Sequence, residues 1–420
     1  MRWQTDVGIL VVGAGPVGLA TATALAQRGI DVTVVDRAAG AAHTSRAAVV
    51  HARTLEALDR IGAAAPLVAA GIPAPRFTIR DRDRVLVPVA FDGLPTPYPY
   101  ALMVPQSTTE AVLNDRLTAA GGTVLRGQEV VGLDGATATF ATGDQIRAHR
   151  VVAADGMNST IRRLAGIGFG PAATSGSTSS RTATDASASG RTATDASGRA
   201  ATDASGRAAT DASGRAATDG ESFTLADIKV DGGPARDEVV LYFSRAGMLV
   251  WAPLPDGTVR IVAAVDDAPE QPDIAYVQKL LSSRGPAREP AQVAEVVWGS
   301  RFRVHHRVAD TFRAGPVLLA GDAGHVHSPA GGQGMNLGLR DALALADALA
   351  DGSDAALDAY AAARRPAALE VVRFASRLTR LATVPAPARP LRNAALSALS
   401  LVPAFRSNLA LRLAGLTDRP

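Results

Sequence analysis

The feature that most narrows what this chain can fold into lies at its start. Residues 6–12, Asp-Val-Gly-Ile-Leu-Val-Val, form a short, largely apolar, β-branched run. Gly13-Ala14-Gly15-Pro16-Val17-Gly18 follows, and an Ala/Leu-rich segment continues to Arg28. That order reads as strand, tight turn and helix. After Gly29, Asp31-Val32-Thr33-Val34-Val35-Asp36 reads as a second buried strand and completes a βαβ unit. Gly13 allows the tight turn, Gly15 lets the backbone approach a pyrophosphate, and Gly18 lets helix and strand pack closely. Pro16 belongs to the same turn, where the helix N-terminus faces the phosphates. Asp36, at the end of the second strand, is placed to accept hydrogen bonds from a ribose 2′-OH. Its charge repels a 2′-phosphate, so NADP is disfavoured in this pocket, while FAD and NAD remain open.

The same segment carries no charge from Val7 to Gln27, a run long enough to span a bilayer. Its glycine and proline spacing argues against a span, and Asp6 in front of it argues against a signal peptide. The expectation is a cytoplasmic protein, a monomer or homodimer, without membrane insertion. With 420 residues, 47% of them hydrophobic, the chain can build two domains with real cores. It contains no cysteine, which excludes a disulfide framework, a Cys-ligated zinc or Fe–S site and a thiol nucleophile. Any redox chemistry must come from a bound cofactor. The net charge of +3 is small and its basic residues are spread along the chain, so no nucleic-acid partner is expected.

Residues 76–100 hold strand-like stretches (Arg76 to Asp81, Arg84 to Phe91) and a Pro-rich break, where the chain leaves the first domain. It returns at Gln106, which opens a helix running to about Ala120, and a strand ending near Ala154 delivers Asp155-Gly156. Val-rich strands between 221 and 304, separated by Gly, Pro and Asp turns, predict an antiparallel sheet. Beyond Gly334 the chain reads as mostly helical, with a helix beginning near Met335. Octapeptide repeats starting at Gly190, Gly198, Gly206 and Gly214 carry one Arg and one Asp each and little apolar surface. Such repeats cannot offset their ordering entropy, so 171–220 is read as a low-complexity insertion.

A second motif separates the cofactors. Val317 to Asn336 contains a buried strand ending in Gly321-Asp322, a glycine loop (Gly331-Gly332) and a helix start. Asp322 can accept from sugar-alcohol hydroxyls, and the N–H groups from Gly334 to Asn336 can stabilise an anion. A reduced flavin, with negative charge on its N1/C2 carbonyl edge, is the fitting ligand.

With these motifs the chain resembles the p-hydroxybenzoate hydroxylase-like (class A) family of FAD-dependent aromatic monooxygenases. Three segments in order carry the resemblance: Gly13-Gly15-Gly18, Asp155-Gly156 through Ser159 and Arg162, and Gly321-Asp322 through Asn336. It covers most of the chain outside 171–220. It implies an α/β fold: a Rossmann-like FAD-binding domain with a parallel sheet, a smaller α+β substrate domain with an antiparallel sheet, and C-terminal helices. The expected division is 1–75, 101–170 and 305–385 for FAD, 76–100 and 221–304 for substrate, and 386–420 as a C-terminal helical segment.

The resemblance also implies roles. Asp36 looks like the adenosine-ribose ligand, and Arg37, Arg46 and Gln106 look like further FAD contacts. Asp155 belongs to a segment that serves both FAD and NAD(P)H. Asp322 would bind the ribityl or pyrophosphate region beside Gly321, while Pro329, Gly332, Gln333, Gly334, Met335 and Asn336 would line the isoalloxazine. NADPH or NADH would be co-substrate, with O2 and a small aromatic or polyketide substrate. The implied activity is hydroxylation of an aromatic ring through a flavin C4a-hydroperoxide, in which the cofactor carries the hard chemistry and no catalytic side chain is nominated. Epoxidation or Baeyer–Villiger insertion on a polyketide, and flavin binding without turnover, are the alternatives. A halogenase ranks low, because its Trp-x-Trp-x-Ile-Pro motif is missing.

His325 and His327 stand two apart, but a metal site needs three or four ligands, so none is expected. His305-His306 is read as structural. Trp251, Trp298 and Phe302 come from middle-sheet strands and are equally compatible with core and with a substrate wall.

Overall fold

Four short apolar segments, each buried on both faces, make the centre of a parallel sheet. Leu10 and Val11, Val34 and Val35, Val151 and Val152, and Leu318 and Leu319 are all inaccessible to solvent, as expected where helices cover both sides. A computed structural model describes residues 4–41, 47–171, 222–303, 305–329 and 331–417. The octapeptide repeats and Arg46 lie outside the described residues. Strand Gln4–Val12 pairs in parallel with Val32–Asp36 on one side and with Gln145–Ala153 on the other. Val124–Arg126 and Val317–Leu319 extend the sheet in parallel, and Arg313–Ala314 closes its edge antiparallel. Helix Pro16–Ala26 packs against helices Gln106–Ala119 and Gln333–Asp351.

A second sheet has seven strands, in the order Gln292–Arg303, Ser222–Asp231, Val259–Ala264, Gly247–Pro253, Glu238–Ser244, Arg76–Asp81 and Arg84–Ala90. Every neighbouring pair is antiparallel except Glu238–Ser244 with Arg76–Asp81, which run parallel. Its two faces follow the period-two alternation of strands. One face buries Val240, Tyr242, Leu249, Trp251 and Ile261 under helix Ile274–Arg284, with Val277 and Leu281. The opposite face carries Val239, Leu241, Met248, Val250 and Ala252 and looks onto a cavity.

The chain finishes in helices Gln333–Asp351, Asp354–Ala382, Arg389–Leu399 and Pro403–Leu413. The first of these begins two residues earlier than the sequence suggested, because Gly331 and Gly332 both adopt positive φ (+81° and +63°) and turn the chain directly into it. Among the described residues no single helix is long and apolar enough to cross a membrane.

Candidate active site

Strand register brings the three sequence motifs to one edge. Val35, Val12, Ala153 and Leu319 are aligned partners across the parallel sheet. The residues that follow them, Asp36, Gly13, Ala154-Asp155 and Ala320-Gly321-Asp322, therefore leave the sheet side by side at its carboxyl ends. The chain passes to one neighbour of the first strand through the glycine turn and returns much later on the other side. This topological switch point is where open α/β sheets bind ligands.

The three turn glycines have different duties. A Cβ on Gly13, at φ +107°, would lie 2.3 Å from the Ala154 carbonyl oxygen, and one on Gly18 would lie 1.9 Å from the Gly13 carbonyl oxygen. Both are packing requirements. Around the Cβ position of Gly15 nothing lies within 4 Å, yet Gly15 caps helix Pro16–Ala26 and forms cavity wall. Protein packing does not demand a glycine there, and the open space leaves the backbone accessible from the cavity. The turn fits a dinucleotide pyrophosphate, bound by the free N–H groups of the helix start.

Asp36 is held by the N–H groups of Ala14 (2.6 Å) and Ala38 (2.7 Å), so its carboxylate is oriented and has acceptor capacity left for a ribose hydroxyl. Arg37 beside it is exposed. Gln106 lies on the cavity wall, its amide donating to Glu110 at 2.8 Å; burial raises the pKa of that carboxyl. Asp155 turns away from the cavity and accepts from the Thr160 and Ile161 N–H groups, capping helix Thr160–Leu164. Its neighbours Ala154, Gly156 and Met157 form the wall instead. Arg162 ties two of the loops together, donating to the carbonyls of Ala323 (2.8 Å) and Met157 (3.0 Å).

In the third motif Asp322 is exposed into the cavity, alongside Pro329, Gly332, Gly334 and Met335. Gln333 and Asn336 point inward. Gln333 donates to the Leu413 carbonyl, and Asn336 bridges the Val49 carbonyl, the Gly332 carbonyl and the His51 N–H. They hold the glycine loop rather than face the cavity.

Several supporting residues gave no pattern in the sequence. Asp341, fully buried, accepts from His325 Nε2 (2.6 Å), Arg364 Nε (2.6 Å) and the Gly321 N–H (3.2 Å). Burial pushes its carboxyl up, but Arg364 and His325 outweigh that and hold it below the usual carboxylate range. His325 is thereby a structural partner of an acid sixteen residues on. Gly321 and Gly338 both close on Val17, each leaving 2.7 Å between a Cβ and a Val17 methyl. His51 and His327 both line the cavity. Nε2 of His51 donates to the Gly331 carbonyl and Nδ1 of His327 to the Ser328 carbonyl, each at 2.8 Å. The other nitrogen of each ring has no partner among the described residues. Desolvation lowers both pKa values to about 4, so both rings are neutral near neutral pH and offer a bare acceptor nitrogen.

The cavity has a volume of about 750 Å³ and runs from these loops to the second sheet. Trp298, Ser300 and Phe302, alternate residues of one strand, line it, whereas Trp251 is core, packed under Gly233. Arg260 also forms wall, fixed by two 2.7 Å bonds to Asp227 and one of 3.2 Å to the Ala47 carbonyl.

The family model described as FAD binding domain matches residues 5–203 and 217–375. The chain belongs to this family. This FAD-binding chain is 34% identical over 399 residues to the 6-methylpretetramide 4-monooxygenase of Streptomyces rimosus, covering 90% of itself and 63% of that protein. It is 32% identical over 385 residues to a rifampicin monooxygenase of Streptomyces venezuelae, covering 87% of itself and 69% of the relative. It thus spans roughly two thirds of the length of these relatives. Among solved structures, p-nitrophenol 4-monooxygenase PnpA from Pseudomonas putida DLL-E4 superposes over the whole of both chains with a TM-score of 0.77 and 25% identity. The p-hydroxybenzoate hydroxylase-like grouping expected from the motifs holds, and FAD is the cofactor of the family.

Proposed function

We propose that the protein is an FAD-dependent monooxygenase that uses NADPH or NADH and O2 to hydroxylate a polycyclic aromatic or polyketide-like molecule. The observation that carries this reading is the continuity of one cavity from the glycine and Gly-Asp loops to an apolar sheet face. Segments 1–75, 101–170 and 305–385 hold the cofactor, and 76–100 with 221–304 roof the substrate. Bound FAD supplies the chemistry, passing electrons from the nicotinamide to O2 and delivering one oxygen atom.

The chain's own residues bind, orient and exclude water. Gly13, Gly15, Pro16 and Gly18 would present the helix start to the pyrophosphate, and Asp36 would take the ribose. Asp322 would meet the sugar-alcohol side, and the first N–H groups of helix Gln333–Asp351 would stabilise negative charge on the ring system. The side chains of Asp155, Arg162, Gln333 and Asn336 set the loops by bonding backbone groups. Val239, Leu241, Val250 and Phe302 line the sheet end of the cavity and exclude water from it. Arg260, paired with Asp227 and bonded to the Ala47 carbonyl, fixes the cavity wall between the two regions.

Relatives named for 6-methylpretetramide and rifampicin favour a large substrate. The test is NAD(P)H oxidation by the FAD-loaded protein, screened with simple phenols and with polycyclic aromatic polyketides. Stimulation by the polycyclic set is the expected result. A rate indifferent to every candidate would support flavin binding without turnover instead.

A further inference from the structure

Helix Arg389–Leu399 is built inside out. Its inward side carries Arg392 and Asn393, which donate to the Phe243 carbonyl (2.8 Å) and to Asp81 (2.9 Å), together with Leu396. Its exposed side carries Leu391, Ala394, Ala395, Ala398 and Leu399. These stand at the i, i+3, i+4, i+7, i+8 spacing by which a helix normally buries an apolar stripe, yet this stripe faces out. More broadly, every exposed residue from 385 to 404 is Pro, Ala, Leu or Val. Leu391 is 75% exposed, Leu399 46%, Leu401 80% and Val402 49%. They surround the elbow at which this helical segment bends by 101° into helix Pro403–Leu413. A contiguous apolar surface of this kind marks an interaction site, where scattered single leucines would not.

Charge identifies the partner. Between 371 and 417 the chain has no Asp or Glu, while Arg373, Arg377, Arg380, Arg406 and Arg412 are exposed. None of these five forms an ion pair among the described residues. A second copy of this face would set arginines against arginines. An anionic bilayer surface satisfies both features, with leucines at the acyl boundary and guanidinium groups among phosphates. Helix Asp354–Ala382 supplies Leu378 and Ala382 to the cavity wall, and helix Pro403–Leu413, one arm of the elbow, supplies Leu409 and Leu413.

We propose that the elbow formed by Arg389–Leu399, Leu401-Val402 and Pro403–Leu413 is a peripheral docking surface for anionic membrane lipid, and that it holds the apolar cavity against the bilayer. The contact is interfacial and needs no spanning helix. The inference is independent of the substrate's identity.

The experiment is co-sedimentation of the full FAD-loaded chain with vesicles of phosphatidylglycerol mixed with phosphatidylcholine, and with vesicles of phosphatidylcholine alone. The protein should pellet with the anionic vesicles, be released by high salt, and stay in solution with the neutral ones. The double variant Leu391→Asp, Leu401→Asp should lower the bound fraction at least about tenfold, since two leucines lose their burial. Both side chains are exposed, so its thermal midpoint and FAD content should match the parent chain. Failure to pellet with anionic vesicles overturns the proposal, as does equal binding by the double variant. A concentration-dependent dimer in light scattering that the same substitutions dissolve would assign the face to a second copy and overturn it as well.

Discussion

Replacing Gly15 and Gly18 separately by alanine separates a glycine kept for a ligand from one kept for packing. At Gly18 the new methyl would lie 1.9 Å from the Gly13 carbonyl oxygen and 3.3 Å from a Val11 methyl. The obstacle at 1.9 Å is backbone, so the turn itself must shift, and Gly18→Ala should cost about 3 kcal/mol of folding stability, the upper range for overpacking. At Gly15 the methyl meets nothing within 4 Å, and the backbone (φ −77°, ψ −176°) is open to any residue. The apo form of Gly15→Ala should lose no more than about 1 kcal/mol, the difference between glycine and alanine at an N-cap. The same methyl stands where the pyrophosphate must approach. Loss of one charge-assisted N–H bond there costs about 1.5–3 kcal/mol, which is about a ten- to hundredfold weaker FAD affinity. Urea unfolding of both apo variants and FAD titration by flavin fluorescence provide the two readouts. FAD binding by Gly15→Ala equal to that of the parent chain, or an apo form destabilised as much as Gly18→Ala, would show that Gly15 is not kept for a ligand.

Three further outcomes follow from the same geometry. His51 and His327 stay neutral in the folded chain down to about pH 4, whereas in the unfolded chain they take up a proton near the ordinary 6.5. The unfolded state therefore binds more protons within that window, so their contribution is complete above 6.5 and is lost as pH falls toward 4. For His51 this amounts to about 3 kcal/mol, and urea midpoints that stay flat across the window would contradict it. Asp341→Asn takes away the carboxylate shared by His325, Arg364 and the Gly321 N–H. It should cost about 3 kcal/mol or more and reduce FAD retention, both measurable by thermal unfolding with and without FAD. Phe302→Ala, which removes a ring stacked on Phe223, should lower kcat/KM for a polycyclic substrate at a cost of about 1–2 kcal/mol, whereas Trp251→Ala should cost about 3–5 kcal/mol; steady-state kinetics beside urea unfolding distinguish the two.

The sequence exposed whatever depends on short-range chemistry. The turn from Val12 to Gly18, the helix opened by Gln106 and the strands from Arg76 and Arg84 all appear where turn residues and period-two runs placed them. The side-by-side placement of Asp36, Gly13, Ala154 and Ala320 depends on strand register, which only the assembled sheet determines. Asp155, Gln333 and Asn336 look like ligand residues because they lie in ligand loops, yet their side chains bond backbone and hold those loops. The Asp341, Arg364 and His325 cluster joins two helices and a short strand with no common spacing, so no motif could have signalled it. Trp251 and Trp298 were equivalent in sequence; strand alternation sends the first into the core and the second into the cavity.

Insertion of an oxygen atom from O2 into a large aromatic substrate in the cavity behind these loops is open to isotope labelling. The FAD-loaded protein is turned over with NAD(P)H and a polycyclic aromatic polyketide under heavy-isotope O2, and the product is weighed by mass spectrometry. One heavy oxygen atom per product molecule, formed in step with NAD(P)H consumed, is the expected result. Consumption of NAD(P)H that yields only hydrogen peroxide, or a product whose new oxygen comes from water, would contradict it.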